Sequence, residues 1–279
     1  MTDADSDRRS YPIVQVRGNT AREVDDQLAV EEPLEIRLGY TDPRKGRTHR
    51  SVSITMRTPG HDTALALGFL YSESIVRRIE DVASVDTSRA NVIRLELHES
   101  ARFDPQRLER HFYTTSSCGV CGKASLETLS LGGFDALPGL STPVSAQRLR
   151  ALPAQLRDVQ PLFAATGGNH GVALFDREGR VEFGMEDVGR HNAMDKLIGT
   201  LLQQRRLPLA DHGILVSGRA SFELLQKALS AGCPLLAAVG APSSLAVELA
   251  QEFNITLVGF LGAERFNVYH GGDSIRYDD

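Results

Sequence analysis

Two cysteines three positions apart, Cys118 and Cys121, stand in the run TTSSCGVCGK at residues 114–123, and the 279-residue chain holds only 3 cysteines. A thiolate is both a nucleophile and a metal ligand, so several chemistries fit this pair. A structural zinc site needs four ligands, and one Cys-x-x-Cys supplies two. Cys233, in the apolar stretch AGCPLLAAV, reads as a small buried hydrophobe. The zinc deaminase pattern needs H-x-E ahead of P-C-x-x-C. Here Ser117 precedes Cys118 and H-x-E is absent, which leaves only a zinc shared across a dimer. Dithiol redox exchange places its motif at a helix N-terminus after a strand. Gly119, Val120 and Gly122 instead make a flexible segment with polar residues on its N-terminal side. Sulfur transfer needs an accessible nucleophilic cysteine that can reach two different sites, and a glycine-flanked loop supplies both. On spacing alone these readings stand beside two inert thiols in a turn, although Ser-Ser-Cys-Gly-Val-Cys-Gly is a poor core segment.

A second kind of chemistry lies at two strand-to-helix junctions. GILV is followed by Ser217-Gly218-Arg219-Ala220-Ser221, and PLLAAV by Gly240-Ala241-Pro242-Ser243-Ser244. Each puts glycine in the turn and serine at the start of a helix. Free N–H groups there, aligned with the helix dipole, accept anions, and ligands of open α/β sheets bind outside the carboxyl ends of the strands. Arg219 adds a bidentate donor for phosphate. Serine is also the ordinary N-cap, so both readings stay open. In GMEDVGRHNAMDK, residues 184–196, Asp187, His191 and Asp195 are spaced by four and would share one face of a helix. That face either orients an imidazole for proton transfer or is an acidic, solvated helix start. His170 in TGGNHG reads as structural.

The elements that must position these groups follow from periodicity. Residues 1 to about 20 read as a tail entering a strand. PLEIRLGY (33–40) and RSVSITMR (50–57) alternate as half-buried strands do, around the turn TDPRKGR. Asp62 is the expected N-cap of a helix through TALALGFLYSE, and VIRLEL (92–97) is a further strand. This predicts an α+β domain over residues 1–112, a cysteine loop and linker over 113–144, and a second domain over 145–279. The second opens with a helix at 145–158, then the hairpin GVALFD/RVEFGM, the helix GRHNAMDKLIGTLLQQ with apolar Met194, Leu197, Ile198, Leu201 and Leu202, and the strand GILVS. FELLQKALSAG (stopped at Gly232), PLLAAVG, SLAVELAQEF, ITLVGFL and RFNVYH follow as helix, strand, helix, strand and strand. A hairpin followed by repeated helix–strand units implies helices around a mixed sheet.

Composition narrows the function classes. The net charge of −5 comes without a basic block, which argues against nucleic acid or anionic membrane as partner. Hydrophobic residues at 41 % and charged residues at 24 % are those of an ordinary globular chain. Three cysteines cannot make a disulfide scaffold. Arg8-Arg9 is followed by no apolar h-region, and no apolar run approaches a membrane span, so the expected compartment is the cytoplasm.

In order along the chain, EEPLEIRL, LALGFLYSESIV, SSCGVCGK, GMEDVGRHNAMDK, VSGRASFELLQKAL and AAVGAPSSLAVELAQEF resemble the formate dehydrogenase accessory sulfurtransferase family, FdhD, from about residue 12 to about residue 271. The resemblance implies a sulfurtransferase working through a cysteine persulfide. Sulfur would come from a cysteine desulfurase. It would pass to the molybdenum cofactor, as bis(molybdopterin guanine dinucleotide), for a molybdenum- or tungsten-dependent formate dehydrogenase. Cys118 would then carry the persulfide, with Cys121 as its neighbour. The protein would hold no metal of its own and would be a homodimer. The cofactor-binding segment would fall on Phe260, Leu261, Gly262, Ala263, Glu264 and Arg265, with Ser217 and Arg219 on the same rim. The family pattern departs here, with Gly262 where an arginine is expected and Glu264 near an expected glycine. The implied fold of the second domain is similar to that of cytidine deaminases, a three-layer arrangement with a mixed sheet. A non-catalytic chaperone that delivers the cofactor, and a redox enzyme using both cysteines equally, are the competing functions.

Overall fold

The computed structural model describes residues 7–42, 44–101 and 134–277; Cys118 and Cys121 lie outside them. The described residues open on a hairpin, which corrects the expected tail from Arg8 onward; residues 1–6 of that expectation lie outside the described residues. β1 (Arg8–Arg17) and β2 (Thr20–Ala29) pair antiparallel, with Ile13 opposite Val24. The polar residues flanking PIV hid the strand in the sequence. The pairing of apolar residues across the ladder is what stabilises it.

β3 (Glu32–Asp42) and β4 (Gly46–Arg57) come next, and both run further into the turn than the expected strands. Then come α1 (Asp62–Ser72), β5 (Val82–Asp86) and β6 (Val92–Leu97), and the sheet order is β4-β3-β6-β5 with β3 and β6 parallel. The residue before α1 that takes the cap position is His61, not Asp62. Asp62 instead receives the Arg57 guanidinium through both carboxylate oxygens, at 2.9 Å each. β5 had no apolar face to announce it, because it is a largely exposed edge strand. Leu34, Ile36, Leu38, Ile93 and Leu95 meet Leu65, Leu67 and Leu70 of α1 in one core.

The second half contains β7 (Val144–Ser145), α2 (Ala146–Asp158), α3 (Pro161–Thr166), β8 (His170–Asp176), β9 (Val181–Asp187) and α4 (Arg190–Gln203). It continues with β10 (His212–Val216), α5 (Phe222–Ser230), β11 (Leu235–Ala238), α6 (Ser244–Glu252), β12 (Thr256–Gly259), β13 (Asn267–His270) and β14 (Ile275–Arg276). Six of these strands form a mixed sheet in the order β13-β12-β11-β10-β8-β9. β10, β11 and β12 are parallel, β8 runs against β10, and β9 runs against β8. The alternation of strand side chains divides the core in two. Val172, Leu174, Ile214, Val216, Leu236 and Leu257 face α4, α5 and α6. Ala173, Phe175, Leu215, Leu235 and Val258 face α2 through Leu149, Leu152 and Leu156. Burying each of those leucines contributes about 2 kcal/mol. The protein is therefore a mixed α/β structure with helices on both faces of its larger sheet.

The four-stranded and six-stranded sheets are joined by α1 crossing α4. The crossing runs glycine against backbone. A Cβ on Gly199 would stand 1.8 Å from the Ala64 carbonyl oxygen, and one on Gly68 would stand 1.9 Å from that of Asp195. Beside it, Lys227 of α5 bonds both oxygens of Asp195 at 2.7 and 2.9 Å, and the Ser72 hydroxyl donates to the same carboxylate at 3.1 Å. The four-residue spacing of Asp187, His191 and Asp195 is thus not a shared helical face. Asp187 ends a strand, α4 begins at Arg190, and Asp195 turns inward to Lys227.

Candidate functional site

Because β9, β10, β11 and β12 all point the same way, the segments that leave them meet at one edge of the sheet. These segments begin at Val188, Ser217, Val239 and Phe260. The antiparallel β8 brings its first residue, His170, to the same edge. Backbone hydrogen bonds continue the sheet past its strands there. Gly240 N–H donates to the Gly218 carbonyl at 2.9 Å, Phe260 N–H to Gly240 at 3.0 Å and Ser243 N–H to Ala220 at 3.0 Å. The junctions read as anion-friendly in the sequence are therefore neighbours, and Phe260–Arg265 lies alongside them.

Within this edge the side chains differ in how far they are committed. The Ser217 hydroxyl accepts from the Gly171 N–H at 2.9 Å, which leaves its own proton to donate. Arg219 is exposed. Leu261 is anchored in the core on the α2 side. Gly262 N–H closes a tight turn onto the Arg265 carbonyl at 3.0 Å, with Ala263, Glu264 and Arg265 exposed around it. Ser243 caps α6 by accepting from Ala246 N–H at 3.3 Å. Ser221 caps α5 without such a bond. Its hydroxyl lies 3.3 Å from His191 Nε2 instead.

His191 is the centre of a pairing the sequence did not reveal. Its Nε2 stands 2.8 Å from Glu223 Oε2, between residues separated by a strand and two junctions. The hydrogen bond from His191 holds the Glu223 carboxyl below the usual carboxylate range, against the effect of its partial burial. Arg190 was likewise missed, though it sits inside GRHN, because nothing in its spacing sets it apart; its Nε is buried with no hydrogen-bond partner.

Beneath the edge lies a fully buried ion pair. Lys196 Nζ is 2.7 Å from Asp187 Oδ2, with side-chain exposures of 2 % and 0 %. Lys196 also donates to the carbonyls of Thr58 at 2.8 Å and Glu186 at 3.3 Å. Asp187 accepts from the N–H groups of Thr58 at 3.1 Å and Gly189 at 2.8 Å, and from Asn192 Nδ2 at 3.1 Å. Asn192 reaches on to the Met56 carbonyl at 2.7 Å. The start of α4 is thereby fixed to the end of β4.

Cys233 is not part of the edge. Burial pushes its thiol up to about 12, and its sulfur donates to the Leu235 carbonyl at 3.2 Å. A thiol so held has almost no thiolate at neutral pH. A Cys118→Ser, Cys121→Ser double variant is expected to stay unlabelled by a maleimide until it is unfolded. Rapid native labelling would contradict the burial of Cys233.

Comparison with other proteins decides the family. Residues 29–276 match the model of the FdhD/NarQ family. The chain belongs to the FdhD/NarQ family. Among its relatives in that family, sulfur carrier protein FdhD of Mycobacterium tuberculosis (strain ATCC 25618 / H37Rv) is 48% identical over 262 residues, covering 90% of this chain and 92% of the relative. The FdhD protein of Streptomyces coelicolor is 46% identical over 275 residues, 94% of each chain. That of Sulfurisphaera tokodaii is 41% identical over 257 residues, covering 92% and 94%. In fold, this FdhD/NarQ member is similar to the crystal structure of a protein from Desulfotalea psychrophila proposed as a formate dehydrogenase accessory protein. The TM-score is 0.72 at 22% identity, with 96% of this chain and 99% of the other covered. Among the described residues no helix is long and apolar enough to cross a membrane.

Proposed function

We propose that this protein is a sulfur carrier in formate dehydrogenase maturation. The observation that carries the reading is the likeness, at up to 48% identity over 90% of the chain, to relatives named sulfur carrier protein FdhD. In this reading Cys118 receives sulfur from a cysteine desulfurase. Its thiolate attacks the outer sulfur of the donor's persulfide, a new S–S bond forms at Cys118, the donor's S–S bond breaks, and the donor leaves as a thiolate. Cys121, three positions along the sequence, assists release. The acceptor is the molybdenum cofactor in its bis(molybdopterin guanine dinucleotide) form, held as cargo at the edge where Ser217, Arg219 and the turn Phe260–Arg265 converge. A diphosphate-bearing ligand suits the donors at this edge: the free proton of Ser217, the exposed guanidinium groups of Arg219 and Arg265, and the N–H groups at the helix starts. Glu264, exposed in the same turn, points the other way electrostatically, so contacts there fall to backbone groups and Arg265. The hairpin, the parallel strands and the helix layers support a deaminase-like scaffold for residues 145–279 without its zinc chemistry. The same reading makes the protein a cytoplasmic homodimer.

The experiment is intact mass spectrometry after incubation with a cysteine desulfurase and cysteine. Wild type is expected to gain one or more sulfur atoms, removable by reductant, and Cys118→Ala to gain none. Wild type gaining nothing beside an active desulfurase would move the function to the non-catalytic cofactor chaperone. Equal loss in Cys118→Ala and Cys121→Ala would favour the redox reading.

A further inference from the structure

His170 stands between two charged junctions. Asp187 is its cross-strand partner on one side. On the other side its neighbour Gly171 exchanges hydrogen bonds of 2.9 Å with Ser217 in both directions. Its Nδ1 lies 3.5 Å from where a Cβ on Gly218 would stand, so the ring faces the turn between β10 and α5. The imidazole is half-buried, yet it makes no hydrogen bond to a described residue. Arg190, at the first position of α4, is in the same condition: its Nε is buried without a partner, and it forms no ion pair among the described residues. Neighbouring groups are committed. Asp187 is neutralised by Lys196, and His191 is bonded to Glu223.

The charged groups acting on His170 are Arg190 and His191 from α4 and Asp187 from β9, with Glu223 of α5 turned to His191. Burial first, then the charges of Arg190 and His191, hold the imidazole below its usual range against the opposing Asp187. The ring therefore favours its uncharged form, and the guanidinium acting on it forms no ion pair among the described residues.

We propose that Arg190 and His170 together bind a phosphate-type oxyanion of the acceptor molecule, and that His170 takes up one proton from solvent as the anion seats. The proposal rests on the reading that this edge holds a phosphate-rich acceptor. An anion beside Arg190 cancels the positive field that disfavours imidazolium. By linkage, the proton must then strengthen anion binding by the same factor. No bond in the ligand breaks; one N–H bond forms on the ring. His170 thus makes retention of the acceptor sensitive to pH, and sulfur loading at Cys118 does not depend on it.

The test is calorimetric titration of the full chain with diguanosine diphosphate, whose doubly esterified diphosphate carries no group titrating near neutrality. Runs at one pH in buffers of different ionisation enthalpy count the protons taken up. Wild type is expected to take up as much as one proton near pH 6.5 and to bind more weakly as pH rises, by about tenfold for each unit by which the anion raises the imidazole. His170→Gln is expected to bind with no uptake and a flat pH profile, and Arg190→Gln to bind weakly at every pH. Wild-type binding without proton uptake, or uptake that survives in His170→Gln, overturns the proposal. So does absence of binding to wild type. Persulfide loading measured on the same preparation then shows whether the sulfur-carrier reading survives that failure.

Discussion

Gly199→Ala is expected to unfold well below the wild-type temperature, by roughly 6–12 °C, for a loss of about 3 kcal/mol or more. The new methyl group would meet the Ala64 carbonyl oxygen at 1.8 Å and the Gly68 nitrogen at 2.8 Å. Both are backbone atoms of α1, so no side chain can turn aside. The helices must part instead, and Leu65, Leu67 and Leu70 lose part of their packing. The sign makes the prediction sharp. In an ordinary helix interior, glycine to alanine stabilises by about 1 kcal/mol. Thermal unfolding followed by circular dichroism decides it, and a raised midpoint would mean that α1 and α4 do not cross in contact.

The second large effect is expected at the buried ion pair. Lys196→Met fits the same space but leaves Asp187 charged, with no side-chain exposure and without its counter-ion. Breaking such a pair from one side costs about 3–5 kcal/mol, whereas removing both charges together is often close to neutral. Lys196→Met is therefore expected to be severely destabilised in urea at neutral pH, and Lys196→Met with Asp187→Asn to recover most of the loss. A double variant no better than the single one would show that the hydrogen bonds to Thr58 and Glu186, rather than the charge, are what Lys196 contributes.

Much of the fold was legible because its elements carry their own period. α4 shows this well: Met194, Leu197, Ile198, Leu201 and Leu202, read as its apolar positions, are all buried. The inner strands of the larger sheet, β8, β10, β11 and β12, read as short apolar runs because both faces are covered. β1, β2 and β5 were lost or misread because they are mostly exposed, so no burial pattern was imposed on them. At the functional edge, the strand–glycine–serine–helix order of the two junctions is local and could be read. The pairing of His191 with Glu223 and of Lys196 with Asp187 could not. The first depends on which strands lie side by side, the second on how α4 packs back over the end of β9, and Asp187, His191 and Asp195 share a spacing without sharing partners. His170 looked structural because TGGNHG says only that a strand is beginning, and its place at the edge follows from β8 running against β10.

The position of α4 has a consequence for how the molecule comes apart. Ala193, Met194, Leu197, Ile198 and Leu201 belong to the core of the larger sheet, while Leu202 on the same helix belongs to that of the smaller one. Neither sheet can melt without stripping a face of this helix. The chain should therefore denature as one cooperative unit although its four- and six-stranded sheets are separate, with a calorimetric enthalpy equal to the van't Hoff value. Amide protons in α1 and α4 should exchange only through global opening, and those of the exposed β1–β2 hairpin through local fraying.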